Sequence, residues 1–173
     1  ILVPADGPQT RDAVLAAYQT PGPVYVRLGR PKVPTIEGKG AFKFGEAEIL
    51  LEGNDIAIIA CGIMVTQALD AASSLKKEGV NCRVINMHTV KPIDASAIIK
   101  AARETKGIVV CEEHTIVGGL ASAVDEVVAE NHPATVLRVG VRNRYGQSGE
   151  PDELLNEYKL SLKDIVDTCK KVL

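Results

Sequence analysis

From Gly45 to the end of the chain, hydrophobic positions follow two alternating rhythms. Unbroken apolar runs, such as "DIAIIAC" (55–61), "NCRVINM" (81–87), "GIVVCEE" (107–113) and "ATVLRVGV" (134–141), predict strands buried on both faces. Between them, "TQALDAASSLKKEG" (66–79), "DASAIIKAARETKG" (94–107) and "GGLASAVDEVVAEN" (118–131) space their apolar residues three and four apart and predict helices. Asp94 suits an N-cap, and Gly79 and Gly107 suit helix stops. Two closing helices are expected, "EPDELLNEY" with Pro151 in its opening turn and "SLKDIVDTCKKVL" with Ser161 as N-cap and Asp164 at the third helical position. Strand–helix alternation of this kind implies right-handed crossovers and a mostly parallel sheet. The first run, "AEILLE" (47–52), alternates apolar and polar residues and reads as an antiparallel edge strand. Gly53-Asn54-Asp55 between it and the next run reads as the turn of a hairpin. The expected architecture is therefore α/β: a three-layer α/β/α arrangement over 45–173, preceded by a fragment of a second α/β domain.

That fragment is residues 1–30. A helix is expected from Asp6 or Thr10, with Val14, Leu15, Ala17 and Tyr18 at helical spacing, and then a strand at "PVYVRL" (23–28). One helix and one strand cannot bury each other, so the segment needs partners it does not contain. Residues 31–44, with two Pro, two Gly and three Lys, read as a linker. The opening Ile1-Leu2-Val3-Pro4 lacks Met and a basic segment, so it reads as a start in mid-protein and not as a signal peptide.

Composition narrows the function classes. Apolar residues are 46% and charged residues 24%, ordinary for a globular protein. A net charge of −2 and only 3% aromatics offer neither a basic stripe nor stacking platforms for nucleic acid. No apolar run is long enough to span a membrane. Four widely spaced cysteines, Cys61, Cys82, Cys111 and Cys169, form no CxxC and read as buried free thiols of a cytoplasmic protein, with no metal site expected.

Candidate chemistry sits at strand ends. Arg27 and Arg30 close the "PVYVRL" strand, with Gly29 beside them. Strand-end arginines are commonly solvated or paired with a carboxylate. They also suit anion capture, because a guanidinium fork matches phosphate and strand carboxyl ends face the ligand crevice of open α/β sheets. The Gly118-Gly119 turn opens a helix whose free N–H groups would suit an anion, although tight helix–strand packing is the favoured reading of the glycines. Next to it "CEEH" brings Glu112, Glu113 and His114 together; on a strand only Glu112 and His114 share a side, too few ligands for zinc. His88 and His132 read as loop or surface residues and Lys91 as solvated. Ser96, Ser122 and Ser148 lack a nucleophile-elbow context, so no catalytic residue is assigned.

Taken jointly, several stretches resemble the C-terminal portion of transketolase. They are "PADGPQT", "VYVRLGRPKVP", "FKFGEAEILLEGNDIAIIACG", "RVINMHTVKPID", "IVVCEEHTIVGGLASAV" and "YGQSGEPDELLNEYKLSLKDI", in order and nearly end to end. The resemblance implies that 1–30 is the C-terminal remnant of the pyrimidine-binding domain, 31–44 a linker and 45–173 the transketolase C-terminal domain. It implies that Arg30 binds the terminal phosphate of a sugar phosphate substrate, with Arg27 in support; the residues themselves, apart from the resemblance, mark Gly118, Gly119, Glu113 and His114 as a candidate anion or interface turn. The complete enzyme is implied to use thiamine diphosphate and Mg²⁺ to transfer a two-carbon ketol unit between sugar phosphates, in a homodimer that includes N-terminal domains or an N-terminal subunit. The family's Gly-Asp-Gly…Asn motif and its activating glutamate do not occur in this sequence, so the chain alone is expected to bind no cofactor and to be inactive. Related families, 1-deoxyxylulose-5-phosphate synthase and the β subunits of 2-oxoacid dehydrogenase E1 components, share versions of the GGL motif. A stand-alone α/β interaction module remains the reading from a different class.

Overall fold

The computed structural model describes residues 1–30, 32–37 and 40–173; Pro31, Gly38 and Lys39 of the expected linker lie outside the described residues. In chain order the elements are α1 (Gly7–Gln19), β1 (Glu48–Leu51), β2 (Ile56–Ala60), α2 (Met64–Lys77), β3 (Cys82–Asn86), α3 (Ala95–Glu104), β4 (Ile108–Thr115), α4 (Leu120–Asn131), β5 (Val136–Val141), α5 (Pro151–Glu157) and α6 (Leu162–Cys169). The strands form one five-stranded sheet in the order β1-β3-β2-β4-β5, parallel except for the antiparallel β1/β3 pair. Helices α2 and α6 cover one face through Met64, Ala68, Leu75, Ile165 and Cys169. On the other face α3 and α4 pack through Ile98, Ala101, Leu120 and Val124. This is the three-layer α/β/α architecture, and it follows from strands such as β2, whose five residues are all buried.

Local signals act where expected. Asp94 Oδ1 accepts from Ala97 N–H at 3.0 Å, and Ser161 and Asp164 form a capping box. Gly79, at φ +85°, closes α2, with its own N–H donating to Lys76 O and that of Val80 to Leu75 O.

Two expected elements differ. The hairpin does not form: β1 pairs with β3, because β2 fills both its edges with parallel neighbours and only the outer edge is open to an alternating strand. Instead of turning, 53–55 crosses the start of β3. A Cβ on Gly53 would collide with the Cys82 backbone, and Asp55 Oδ2 accepts from Asn81 N–H at 2.8 Å. At 23–28 the ladder is one bridge long, Val26 with Leu2, because no second strand flanks it among the described residues. Of the apolar positions at helical spacing in α1, Val14, Leu15 and Tyr18 are exposed, as expected of a segment that lacks its partners, and the helix buries Gln9 and Ala13.

Candidate functional site

The loops after β2 and β4 lead to helices on opposite faces, which opens a crevice at the carboxyl edge where such folds hold ligands. In this chain the N-terminal segment lies across that edge. Val3 N–H donates to His88 O at 2.8 Å and Gly62 N–H donates to Val3 O at 3.1 Å. Gly62 has φ +58°, a conformation that suits glycine. Leu2 in turn pins the arginine segment: Leu2 N–H donates to Tyr25 O and Arg27 N–H to Leu2 O, both at 2.8 Å.

His88, expected in a loop or at the surface, lies in the loop after β3 but is buried, because β3 ends beneath this crossing segment; its Nδ1 lies 3.0 Å from Thr89 Oγ1 and its ring 4.5 Å from that of Phe42. A buried polar relay ties α1 to the sheet. Asp6 caps α1 by accepting from Gln9 N–H at 2.9 Å, and Asn86 Nδ2 donates to Gln9 Oε1 at 3.1 Å. Asp6 Oδ2 also accepts from Ile36 N–H at 2.9 Å. Asp6 was one of two caps the sequence offered, with Thr10, and it is the one that acts; the buried roles of Gln9 and Asn86 had no periodic signal to betray them.

The Gly118-Gly119 turn carries an anion, but it is the chain's own. Glu112, buried in the second half of β4, accepts from Leu120 N–H at 2.8 Å and Ala121 N–H at 2.9 Å. Its carboxylate therefore fills the N-terminus of α4, where the field of the helix favours negative charge. Gly119 is needed for that approach, since a Cβ there would strike the carboxylate. His114 shares the side of Glu112, with its Nδ1 3.9 Å from Oε2. Glu113 faces the other way and meets Arg27, whose Nη2 donates to Glu113 O at 2.6 Å and lies 3.4 Å from Oε2. A cavity of about 170 Å³ lies among Arg27, Cys61, Glu112 and His114. Burial, reinforced by the Glu112 charge, pushes the Cys61 thiol up to about 12, so it is no nucleophile.

Arg30 is exposed and makes no hydrogen bond or ion pair among the described residues. Beside its loop a cleft of about 380 Å³ is lined by Asp6, Thr10, Leu28, Gly29 and Lys32. The structure thus separates the two arginines, one committed to the sheet and one open. It likewise engages two of the three serines, with Ser96 donating to Asp94 and Ser122 accepting from Gly118 N–H. Among the described residues no group of three or more His, Cys, Asp or Glu would hold a metal, and no helix is long and apolar enough to cross a membrane. With the α4 amides taken by Glu112, the residues present do not fit thiamine diphosphate and Mg²⁺.

Residues 45–165 match the family model described as transketolase, C-terminal domain. A 6-deoxy-6-sulfo-D-fructose transketolase subunit of Clostridium sp. (strain MSTE9) is 41% identical over 98% of this chain and 53% of its own length. An apulose-4-phosphate transketolase subunit of Phocaeicola vulgatus is 39% identical over 98% of this chain and 54% of its own. Human transketolase is 34% identical over 100% of this chain and 28% of its own. A solved structure described as a split gene transketolase, inactive beta4 tetramer, superposes with a TM-score of 0.95 at 44% identity, over 99% of this chain and 57% of that one. The chain spans about half the length of the first two relatives.

Proposed function

The chain belongs to the transketolase family through its C-terminal domain, and we propose that it is part of an enzyme that transfers a two-carbon ketol unit between sugar phosphates. In this reading 1–30 is the end of the pyrimidine-binding domain, 31–44 a linker and 45–173 the C-terminal domain. Arg30 holds the substrate's terminal anion, and Arg27 supports it. The observation that carries the reading is the open guanidinium of Arg30, in a chain similar over nearly its whole length to subunits named for apulose-4-phosphate and 6-deoxy-6-sulfo-D-fructose. Both of those sugars bear a fixed anion, which an arginine fork recognises.

Thiamine diphosphate and Mg²⁺ belong to the rest of the complete enzyme, where the cofactor supplies the electron sink for the carbon–carbon cleavage. The chain alone is then inactive. Its partner is an N-terminal subunit or domain, and the assembled enzyme is a cytoplasmic dimer. The exposed apolar side chains of the first 30 residues, Val14, Leu15, Tyr18, Tyr25 and Leu28, are the face on which the remainder of the pyrimidine-binding domain packs.

The test is ketol transfer from xylulose 5-phosphate to ribose 5-phosphate with thiamine diphosphate and Mg²⁺. It is run on the chain alone and on the completed enzyme. Activity is expected only after completion, with a raised KM for the phosphorylated donor in Arg30→Ala. Pyruvate consumption in place of ketol transfer, or an unchanged KM in Arg30→Ala, would count against the reading.

A further inference from the structure

We propose that Arg27 is a positioning residue: it clamps the loop that carries Arg30 onto the end of β4 and so sets where the anion-binding guanidinium stands. The inference rests on the reading of Arg30 as the ligand of the substrate's terminal anion.

Three observations carry it. First, Arg27 is the last residue held before Arg30. Its N–H donates to Leu2 O, and its guanidinium reaches across to Glu113. Beyond it, no hydrogen bond among the described residues holds 28–30 or 32–35; the chain is next fixed where Ile36 N–H donates to Asp6. Counting only the described residues, Arg30 therefore sits in a strap tied by hydrogen bonds at two points, three residues from the nearer one, a reach of about 10 Å. Second, the shorter contact of Arg27 is to the backbone oxygen of Glu113 at 2.6 Å, with the carboxylate farther off at 3.4 Å. A carbonyl on a sheet strand does not swing with rotamers, so it is a better fixed point than a carboxylate. Third, the Arg27 side chain is about one-third exposed and already has a counter-charge in Glu113, whereas Arg30 is open. A guanidinium that is neutralised and committed is poorly placed to take a substrate anion; one that is open and held in range is well placed.

The physical consequence is a population effect. With the clamp, the strap presents Arg30 at one place. Without it, the strap samples more conformations, and apparent affinity for the anion falls by the fraction of time Arg30 is out of position. The C-terminal domain, which supplies Glu113, thereby acts on substrate binding without touching substrate.

The experiment uses the completed enzyme with its thiamine diphosphate and Mg²⁺. KM is measured for xylulose 5-phosphate with ribose 5-phosphate as acceptor, and for hydroxypyruvate with glycolaldehyde, a pair without phosphate. The variants are Arg30→Ala, Arg27→Met, Arg27→Lys and the Arg27→Met/Arg30→Ala double. Arg30→Ala is expected to raise the KM for xylulose 5-phosphate roughly 10- to 100-fold, the loss of a charge-assisted contact. Arg27→Met, which keeps the side-chain stem, is expected to raise it about fivefold, since the lost bond is partly solvent-screened. Arg27→Lys, which retains one donor for Glu113 O, recovers part of that loss. The double variant should equal Arg30→Ala alone, because a clamp has nothing left to position. Arg30→Ala and Arg27→Met should each affect the phosphate-free pair several-fold less.

Effects that multiply in the double variant would make Arg27 a direct ligand and overturn the proposal. So would an unmoved KM in Arg27→Met, or an equal loss with both substrate pairs. An unmoved KM in Arg30→Ala overturns the reading of Arg30 itself, and no turnover with either pair overturns ketol transfer; each takes this inference with it and is distinguishable from a failure of the clamp alone.

Discussion

The carboxylate of Glu112 provides the sharpest physical test in the molecule. It is 2% exposed and accepts from the N–H groups of Leu120 and Ala121 at 2.8 and 2.9 Å. Each such bond to a charged acceptor contributes about 1.5–3 kcal/mol, and the helix field adds about 0.3–1 kcal/mol. Glu112→Ala removes both bonds and leaves two amides short of a partner until water enters, so a loss of about 3–5 kcal/mol is expected. Gly119→Ala attacks the same contact from the other side. Gly119 has φ −97° and ψ −156°, extended backbone open to any residue, so alanine meets no conformational penalty there. What it meets is the carboxylate: the new Cβ would lie 2.7 Å from the carboxyl carbon of Glu112 and 2.9 Å from Oε1. Relieving that overlap moves the carboxylate off its amides, at a cost of about 2–4 kcal/mol. Once Glu112 is alanine the obstacle is gone, and Gly119→Ala should then cost under about 1 kcal/mol. Urea unfolding of the four proteins, followed by far-ultraviolet circular dichroism, measures the coupling. Equal costs of Gly119→Ala in both backgrounds would refute the argument, as would a loss below about 1 kcal/mol in Glu112→Ala.

Four further outcomes are expected. Burial pushes the Cys61 and Cys169 thiols up to about 12, Cys82 up to about 11 and Cys111 well above 9.0, so none of the four should react with a disulfide reagent at pH 8 until the protein is unfolded in urea. The same shifts keep these thiols neutral in the fold while the unfolded chain ionises near 9.0; their stabilisation is complete below that pH and is lost as pH rises toward 11–12, so the urea midpoint should fall between pH 8 and pH 10.5. Asp94 is held below 3.8 because hydrogen bonds from Ser96, Ala47 and Ala97 outweigh the burial that would raise it; Asp94→Ala should cost about 1 kcal/mol at pH 7 by urea unfolding, and the difference should shrink as pH falls below 3.8. Tyr18 and Leu15 are exposed at 90% and 48%, so the Leu15→Lys/Tyr18→Lys double should leave the unfolding midpoint of the isolated chain within about 0.5 kcal/mol; sedimentation should show less self-association, and an unchanged sedimentation profile would argue against an adhesive α1 face.

Much of the architecture was legible because one-dimensional patterns carry it. Runs such as "IAIIA" are apolar because both faces of the sheet are covered, and caps such as Asp94 and Ser161 act within a few residues of themselves. The arginine pair, the "CEEH" cluster and the Gly118-Gly119 turn could be marked as polar features at strand ends and helix starts. Which of them meet was decided only by the tertiary structure. Strand order is a competition for edges, so β1 passed over its sequence neighbour to pair with β3. Glu112 took the α4 amides, 8 and 9 residues away, because the β4–α4 turn folds back on itself, and Arg27 found Glu113 across 86 residues because the N-terminal segment crosses the carboxyl edge. Periodicity reports which face of an element seeks burial; it holds no record of what will cover that face. That is why the apolar stripe of α1 could be read only as a face in want of a partner, and it stands exposed in the fold, while Gln9 and His88, polar by composition, are buried where distant segments meet.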